Sequence, residues 1–539
     1  MAKKTAPKTT PVEPAAVVAP VPADVRRYCA VLFLICLAVF WPATNNDFVL
    51  YDDLSYIHQN PPVRSGLSLD GIFWALTSVE KYYWHPLAWI SHMVDVSVFG
   101  LNASGHHAVS VVLHALNAAA LLLAVWRLTG ALWPAALVAA LHSLHPLRVE
   151  SVAWAAERKD VLSGLFFSLA LLAYANYVRG SKRAYWGFLG AAAAAYCSKP
   201  TVVPLPVILL ILDWWPLGRT KTTSWVALIR EKAPVIAMSA AVSLLTIAGQ
   251  REVAMFTLGQ LPLDMRIRNA MRGYGGYLEK FFYPLDLGVF YPHEELGAGA
   301  GFVLALAIGL PFVGAWVLRT RAPYVAAGWL WFVVAMLPTS GLLQSGQQAY
   351  ADRFTYIPAV GLAMIVVFGA AELLRPAPVA VRAAVAGCVL LVLAALSVNQ
   401  IQYWKDTDSM ALRAIAVTKK NPNMHWLLAD KYMGESRYDD ALQHYRQLTV
   451  EYPEYPDAYR KMGNILMRKK EYAQALAPID TAIRLKPEDV ELRKLRSLAL
   501  IQMGRTNEAL EALRNVLRMS PSDPQARQWL QAIGGEAGR

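Results

Sequence analysis

The stretch YCAVLFLICLAVFWPAT (28–44) decides how the rest of the chain is read. It carries no charged residue, and its length approaches the roughly 20 residues that cross the hydrocarbon core of a bilayer as a helix. Comparable apolar runs recur at about 107–126, 131–147, 161–178, 184–198, 202–215, 233–250, 300–318, 322–338, 354–372 and 380–398. The pattern predicts an all-α membrane bundle of about eleven spans within residues 25–400. Composition agrees, with 56% apolar and 17% charged residues against roughly 25% charged in soluble domains. This excludes a string of ordinary soluble domains, and a disordered scaffold could not be so apolar. Cys29, Cys36, Cys197 and Cys388 all lie in apolar runs without CxxC spacing and are read as small buried hydrophobes.

Residues 1–24 (MAKKTAPKTTPVEPAAVVAPVPAD) are rich in Pro, Ala and Lys and lack a period, as expected of a disordered tail. The first apolar run starts too late, and without a cleavage pattern, for a signal peptide. With the N-terminus inside, the inner segments hold 17 basic residues, among them Arg127, Lys182, Arg183, Arg219, Lys221, Arg319 and Arg321, against five acidic ones. The outer segments before residue 400 are net acidic. The overall charge of +12 is then a positive-inside topology signal rather than a nucleic-acid footprint. An odd number of spans places everything after about residue 400 outside the cytoplasm.

That C-terminal part repeats. Ala441, Ala475 and Ala509 are spaced by 34, as are Pro453, Pro487 and Pro521, Tyr432, Leu466 and Leu500, and Tyr445, Ile479 and Leu513. A period of 34 with a small Ala in the second helix and Pro at the end is the tetratricopeptide pattern. Residues 401–421 read as a linker or helix, and 422–539 as an α-solenoid of about three repeats with a capping helix at 524–533.

Outer loops hold the chemistry-bearing residues. Asp52 and Asp53, flanked by Tyr51 and Tyr56, follow the first span directly. Such a pair can act as a base on a hydroxyl or hold a divalent cation; ordinary loop charge is the plainer reading. The segment LHPLRVESVAWAAERKD (144–160) packs His145, Arg148, Glu150, Glu157, Arg158, Lys159 and Asp160 against predicted spans. Charges at that depth pair with one another or meet a lipid phosphate. Asp352 and Arg353 open the tenth span, and Lys199 and Arg272 are single basic residues near the same level. Seven of the eleven histidines, His85, His92, His106, His107, His114, His142 and His145, fall between 85 and 145 without an HExxH arrangement. They are expected to make polar contacts within the bundle or to a sugar rather than a metal site. The basic, aromatic stretch RIRNAMRGYGGYLEKFFYPLDL (266–287) suits an interfacial amphipathic helix over a lipid-facing cavity.

The motifs YDDLSYIHQNP (51–61), YWHPLAWISHMVDVSVFGLNASGHHAVSVVLHALN (83–117), HPLRVESVAWAAERKDVLS (145–163), SKPTVVPLP (198–206), DWWPLGR (213–219) and ADRFTYIPAVGL (351–362) resemble, in residues and in order, the transmembrane and tetratricopeptide-repeat protein O-mannosyltransferases and their bacterial relatives. The resemblance implies a GT-C fold, a polyprenyl-phosphate-linked sugar donor and extracytoplasmic repeats. It favours Asp52 and Asp53 as the catalytic pair, with a lean toward Asp52 as the base. Arg158, Lys159, Lys199, Arg272 and Arg353 are the candidates for holding the donor phosphate. Tyr51, Tyr56, His85, His145, Glu150 and Asp352 are candidates for substrate contact.

On this reading a Ser or Thr hydroxyl of a protein acceptor attacks the anomeric carbon of mannose or another hexose, with inversion, in the inner membrane of a bacterium. The repeats present the acceptor on the periplasmic side. No cofactor or metal is expected, and neither is nucleic acid. Two alternatives are a repeat-bearing membrane scaffold for an envelope complex and a transferase acting on a lipid or polysaccharide. A transporter would need ionisable residues deep within the spans, which most of them lack.

Overall fold

The computed structural model describes residues 20–79, 84–251, 261–293, 298–343 and 346–536. Of the expected disordered tail, residues 1–19 lie outside this set. The described residues are helical apart from loops and one isolated antiparallel bridge between Tyr291 and Tyr350. They divide into two compact units, Met1–Met410 and Ala411–Arg539.

In the first unit every apolar run of the sequence lies on a helix. Among the described residues, five segments are long and apolar enough to cross a membrane: Ala23–Asn45, Ala103–Thr129, Ala155–Val178, Ala233–Gln250 and Val379–Gln402. Leu132–Ser143, Pro200–Trp214, Leu304–Leu318, Pro323–Thr339 and Ala359–Leu373 are shorter apolar helices, and the run at 184–198 forms Lys182–Ser198. This unit has the composition of an integral membrane domain. Val385, Val389, Leu391 and Val392 all stand exposed on the Val379–Gln402 helix, as suits a surface solvated by lipid rather than water. The cysteines depart from expectation: only Cys36 is buried, while Cys388 is exposed on that same helix.

The Ala103–Thr129 helix packs against Ala23–Phe40, Leu132–Ser143 and Arg158–Val178. Its buried side carries His106, His107, Ser110, His114 and Asn117. His114 Nε2 lies 2.9 Å from the Ser143 carbonyl, which can only accept. The Nδ1 of a neutral ring is then an acceptor, and it meets the Tyr356 hydroxyl at 2.7 Å. Asn117 donates to the same hydroxyl at 3.1 Å. Tyr356 fits there because residue 164 is glycine: a Cβ at Gly164 would lie 2.3 Å from the ring. The Pro323–Met336 and Ala359–Leu373 helices approach just as closely. A Cβ on Gly328 would stand 2.4 Å from the Gly361 carbonyl, and one on Gly361 2.3 Å from the Gly328 carbonyl. Small residues at such crossings let dispersion hold helices together where lipid removes the hydrophobic drive.

The second unit pairs Pro422–Gly434 with Tyr438–Glu451, Pro456–Arg468 with Tyr472–Leu485, and Val490–Gln502 with Thr506–Met519, followed by Pro524–Glu536. Ala441, Ala475 and Ala509 are fully buried where the paired helices meet, as are Tyr445, Ile479 and Leu513. Within each repeat the turn passes through one left-handed residue, Ser436 (φ 61°), Lys470 (φ 62°) and Gly504 (φ 70°).

Candidate active site

The candidate site is built from three segments: the loop after the first helix, the broken helical stretch 145–160, and the turn at 350–358. The first helix ends at Phe40, and a 3-10 turn, Trp41–Asn45, carries the chain into the loop. Asp52 and Asp53 then part company. Asp53 is fully buried. Its Oδ2 accepts the Val49 N–H at 2.9 Å and its Oδ1 accepts the Ala156 N–H at 2.7 Å. Burial pushes its carboxyl up to about 7 even though those two N–H groups favour the ionised form. Asp52 is half-buried, and its carbonyl caps the following turn by accepting from Tyr56 N–H at 2.8 Å and Ser55 Oγ at 3.0 Å. Its carboxylate is close enough to Lys159 for the two charges to interact.

The 145–160 stretch alternates short helical pieces because Pro146 and the extended Trp154 interrupt it. His145 Nδ1 accepts the Leu147 N–H at 3.2 Å, and its Nε2 lies 2.9 Å from the Phe281 carbonyl. Both ring nitrogens are therefore used in holding backbone. Beyond Trp154 lies a buried ionic lattice. Glu157 meets Lys159 at 2.9 Å and Lys199 at 2.9 Å, and Arg353 at 3.4 Å. Lys199 also meets Asp160 at 2.7 Å, whose other oxygen accepts from Ser151 at 3.1 Å. Glu150 accepts the Arg353 N–H at 2.7 Å and its guanidinium at 2.5 Å. Three cations and three carboxylates thus balance out of water, which a buried lattice requires. Lys199, Asp160, Arg353 and Tyr356 also line a narrow cavity.

Aromatic rings frame the lattice. Lys159 Nζ stands 4.6 Å over the Tyr56 ring, which stacks on His85 and packs on Trp89. Arg353 lies 5.3 Å over Trp154, and Tyr51 packs against the same indole. Asp352 faces elsewhere: its Oδ2 accepts from the Tyr291 hydroxyl at 2.9 Å, and burial raises its carboxyl to about 6. Arg148, fully buried beneath the 352–355 turn, donates to Thr355 Oγ1 and lies over the Tyr356 ring.

Of the residues expected at the site, Asp52, Asp53, Tyr51, Tyr56, His85, Lys159, Lys199, Glu150 and Arg353 come together around Trp154 and Glu157. Three stand apart. Arg158 points to the other side of its helix, where it donates to Ser91, Ser110, Asp95 and the His106 carbonyl. His145 is a backbone clasp. Arg272 lines a separate, wide cavity of about 780 Å³ with Gly275, Gly276, Phe282 and Tyr350, on the amphipathic helix Leu263–Phe282. Asp95 was missed by sequence reasoning. The available signal was a lone carboxylate three residues after His92 in the mostly apolar helix Pro86–Phe99.

Comparison with known proteins follows this division. Two tetratricopeptide-repeat family models match residues 427–490 and 462–533. Protein O-mannosyl-transferase TMTC1 of Homo sapiens is 24% identical over 77% of this chain and 54% of its own length. Protein O-mannosyl-transferase Tmtc3 of Drosophila melanogaster is 21% identical over 82% of this chain and 57% of its own. Protein O-mannosyl-transferase TMTC2 of Homo sapiens is 31% identical over a shorter stretch, 30% of this chain and 20% of its own. The chain spans about half the length of the first two relatives. The chain is thus similar, at 21–24% identity over most of its length, to proteins named as TMTC protein O-mannosyl-transferases, of which it is a distant homologue, and its C-terminal unit carries tetratricopeptide repeats.

Proposed function

We propose that the protein is a membrane glycosyltransferase that moves mannose or another hexose from a polyprenyl-phosphate donor to Ser or Thr hydroxyls of a protein. The observation that carries this reading is the contrast within the acidic pair. Both carboxylate oxygens of the fully buried Asp53 accept backbone N–H groups, and the Asp52 side chain is half-buried with its charge beside that of Lys159. Asp52 is the base, and Asp53 fixes the loop that presents it. Asp52 takes the hydroxyl proton as the oxygen attacks the anomeric carbon. The bond to the phosphate oxygen breaks on the opposite face, which inverts the centre. Lys159, Lys199 and Arg353 neutralise the charge gathering on the departing phosphate.

The positive-inside charge pattern supports about eleven spans, a cytoplasmic N-terminus, repeats on the periplasmic face of a bacterial inner membrane, and a site at that outer surface. The homology to proteins named as O-mannosyl-transferases supports a protein acceptor, with the repeats presenting it. Purified full-length protein, given a panel of polyprenyl-phosphate sugars and candidate acceptor proteins, should add hexose mass to an acceptor. Asp52→Asn should not. Absence of transfer from every donor, or undiminished transfer by Asp52→Asn, overturns the reading.

A further inference from the structure

We propose that His92, Asp95 and His106 form a binding site for a divalent transition-metal ion, of the zinc class by ligand type, on the far side of the Arg158 helix from the ionic lattice. His92 and Asp95 are three residues apart on the Pro86–Phe99 helix and share a face. Gly100, in a left-handed turn (φ 63°), ends that helix. His106 then follows in the first turn of Ala103–Thr129. All three side chains are buried, and one ligand atom from each lies within 4.8 Å of the other two.

Two distances point to an ion. His92 Nδ1 and His106 Nδ1 are 3.3 Å apart, and His106 Nδ1 is 3.3 Å from Asp95 Oδ2. Ligands bound to zinc at about 2.0–2.1 Å and the tetrahedral angle stand about 3.3–3.4 Å from each other. The proton inventory points the same way. His106 Nε2 lies 3.2 Å from the Gly100 carbonyl, which can only accept, so Nε2 carries a hydrogen and Nδ1 of a neutral ring offers a lone pair. That lone pair faces Asp95 Oδ2, a second acceptor. A proton on His92 Nδ1 satisfies one of the two contacts and leaves the other repulsive so long as Asp95, held at the same oxygen by the Arg158 guanidinium, is ionised.

An imidazolium at His106 would relieve it, at the cost of a second buried cation against Arg158, which donates to the carbonyl of His106 and to Asp95. A metal ion relieves both contacts at once through three coordinate bonds. The Asp95 carboxylate offsets part of the added charge. The Gly100 carbonyl on His106 and the Arg158 guanidinium on Asp95 are the outer partners that orient ligands at metal sites. The Phe48 ring, 5.3 Å from the His106 ring, covers the group.

Full-length protein in detergent, with any histidine tag removed, would be stripped with a chelator and reloaded with Zn²⁺ or Co²⁺. The expected result is one ion per chain by elemental analysis and the intense visible bands of tetrahedral Co²⁺. Competition with a chromophoric chelator should show binding at least about tenfold weaker in His92→Ala and His106→Ala. A control changing His425 and His444, a histidine pair in the repeats, should bind as wild type does. Wild-type protein that retains no stoichiometric metal overturns the proposal, as does equal affinity in the two ligand variants. Where those variants do not elute as folded protein, the wild-type Co²⁺ spectrum decides: weak octahedral bands, or none, overturn it.

Discussion

Asp53 Oδ1 accepts the Ala156 N–H at 2.7 Å across 103 residues of chain. Through this bond the loop carrying Asp52 is pinned to the turn that starts the lattice of Glu157, Lys159 and Asp160. Asp53→Ala leaves two buried N–H groups without acceptors, each costing about 1–3 kcal/mol. Thermal unfolding in detergent should show a lowered midpoint for Asp53→Ala and little change for the half-buried Asp52→Ala. Equal losses would contradict the separation of roles.

The same residue sets a pH dependence. Its carboxyl is raised by burial from 3.8 to about 7. A group raised in the folded state contributes stability that is full below its unfolded value and lost as pH rises through the folded one. From about pH 4 to pH 7 wild type should therefore lose up to ~4 kcal/mol relative to Asp53→Asn, which has nothing to titrate there. Parallel midpoint-against-pH curves for the two proteins would refute this.

Asp52→Asn keeps the shape of the loop and removes the base. Transfer should fall by about 10²–10⁴-fold, the usual worth of a positioned base, with donor KM little changed. A tenfold rise in KM at normal kcat would instead place Asp52 in donor binding.

Lys199 is the cation shared by Glu157 and Asp160. Lys199→Met strands the buried Asp160 and takes one of three cations from Glu157, and should destabilise by about 3–5 kcal/mol. Adding Asp160→Asn should recover part of that, because the stranded charge is gone. Additive losses in the double variant would show that the lattice is not coupled.

In the repeats, Gly504 occupies the left-handed turn position that Ser436 and Lys470 fill with side chains. Left-handed backbone is strained for a residue with a Cβ. Lys470→Gly should shed this strain, worth about 1 kcal/mol. It also gives up the Lys469–Lys470 neighbour charge, an exposed feature of little energetic weight. The reciprocal change, Gly504→Lys, should lower the unfolding midpoint of the repeats.

The helices and the repeats were legible in the sequence because they rest on local rules. Uncharged runs near span length become helices wherever the backbone must satisfy itself, and the step of 34 returns Ala475 to the same buried position as Ala441 and Ala509. The lattice was legible only as an inventory. Charges crowded into 144–160 must pair, yet spacing does not say with whom.

What the sequence determined by itself is therefore the helical class, the apolar segments, the repeat unit and the presence of an acidic pair beside a charge-rich segment. Tertiary structure alone decided which member of the pair has both carboxylate oxygens spent on backbone N–H groups. It turned Arg158 toward Asp95 and away from Lys159, and it set Arg353 between Glu150 and Glu157. The physical reason is common to all three. The partner of a buried charge is chosen by which helix faces meet across tens or hundreds of residues, and no local period carries that information.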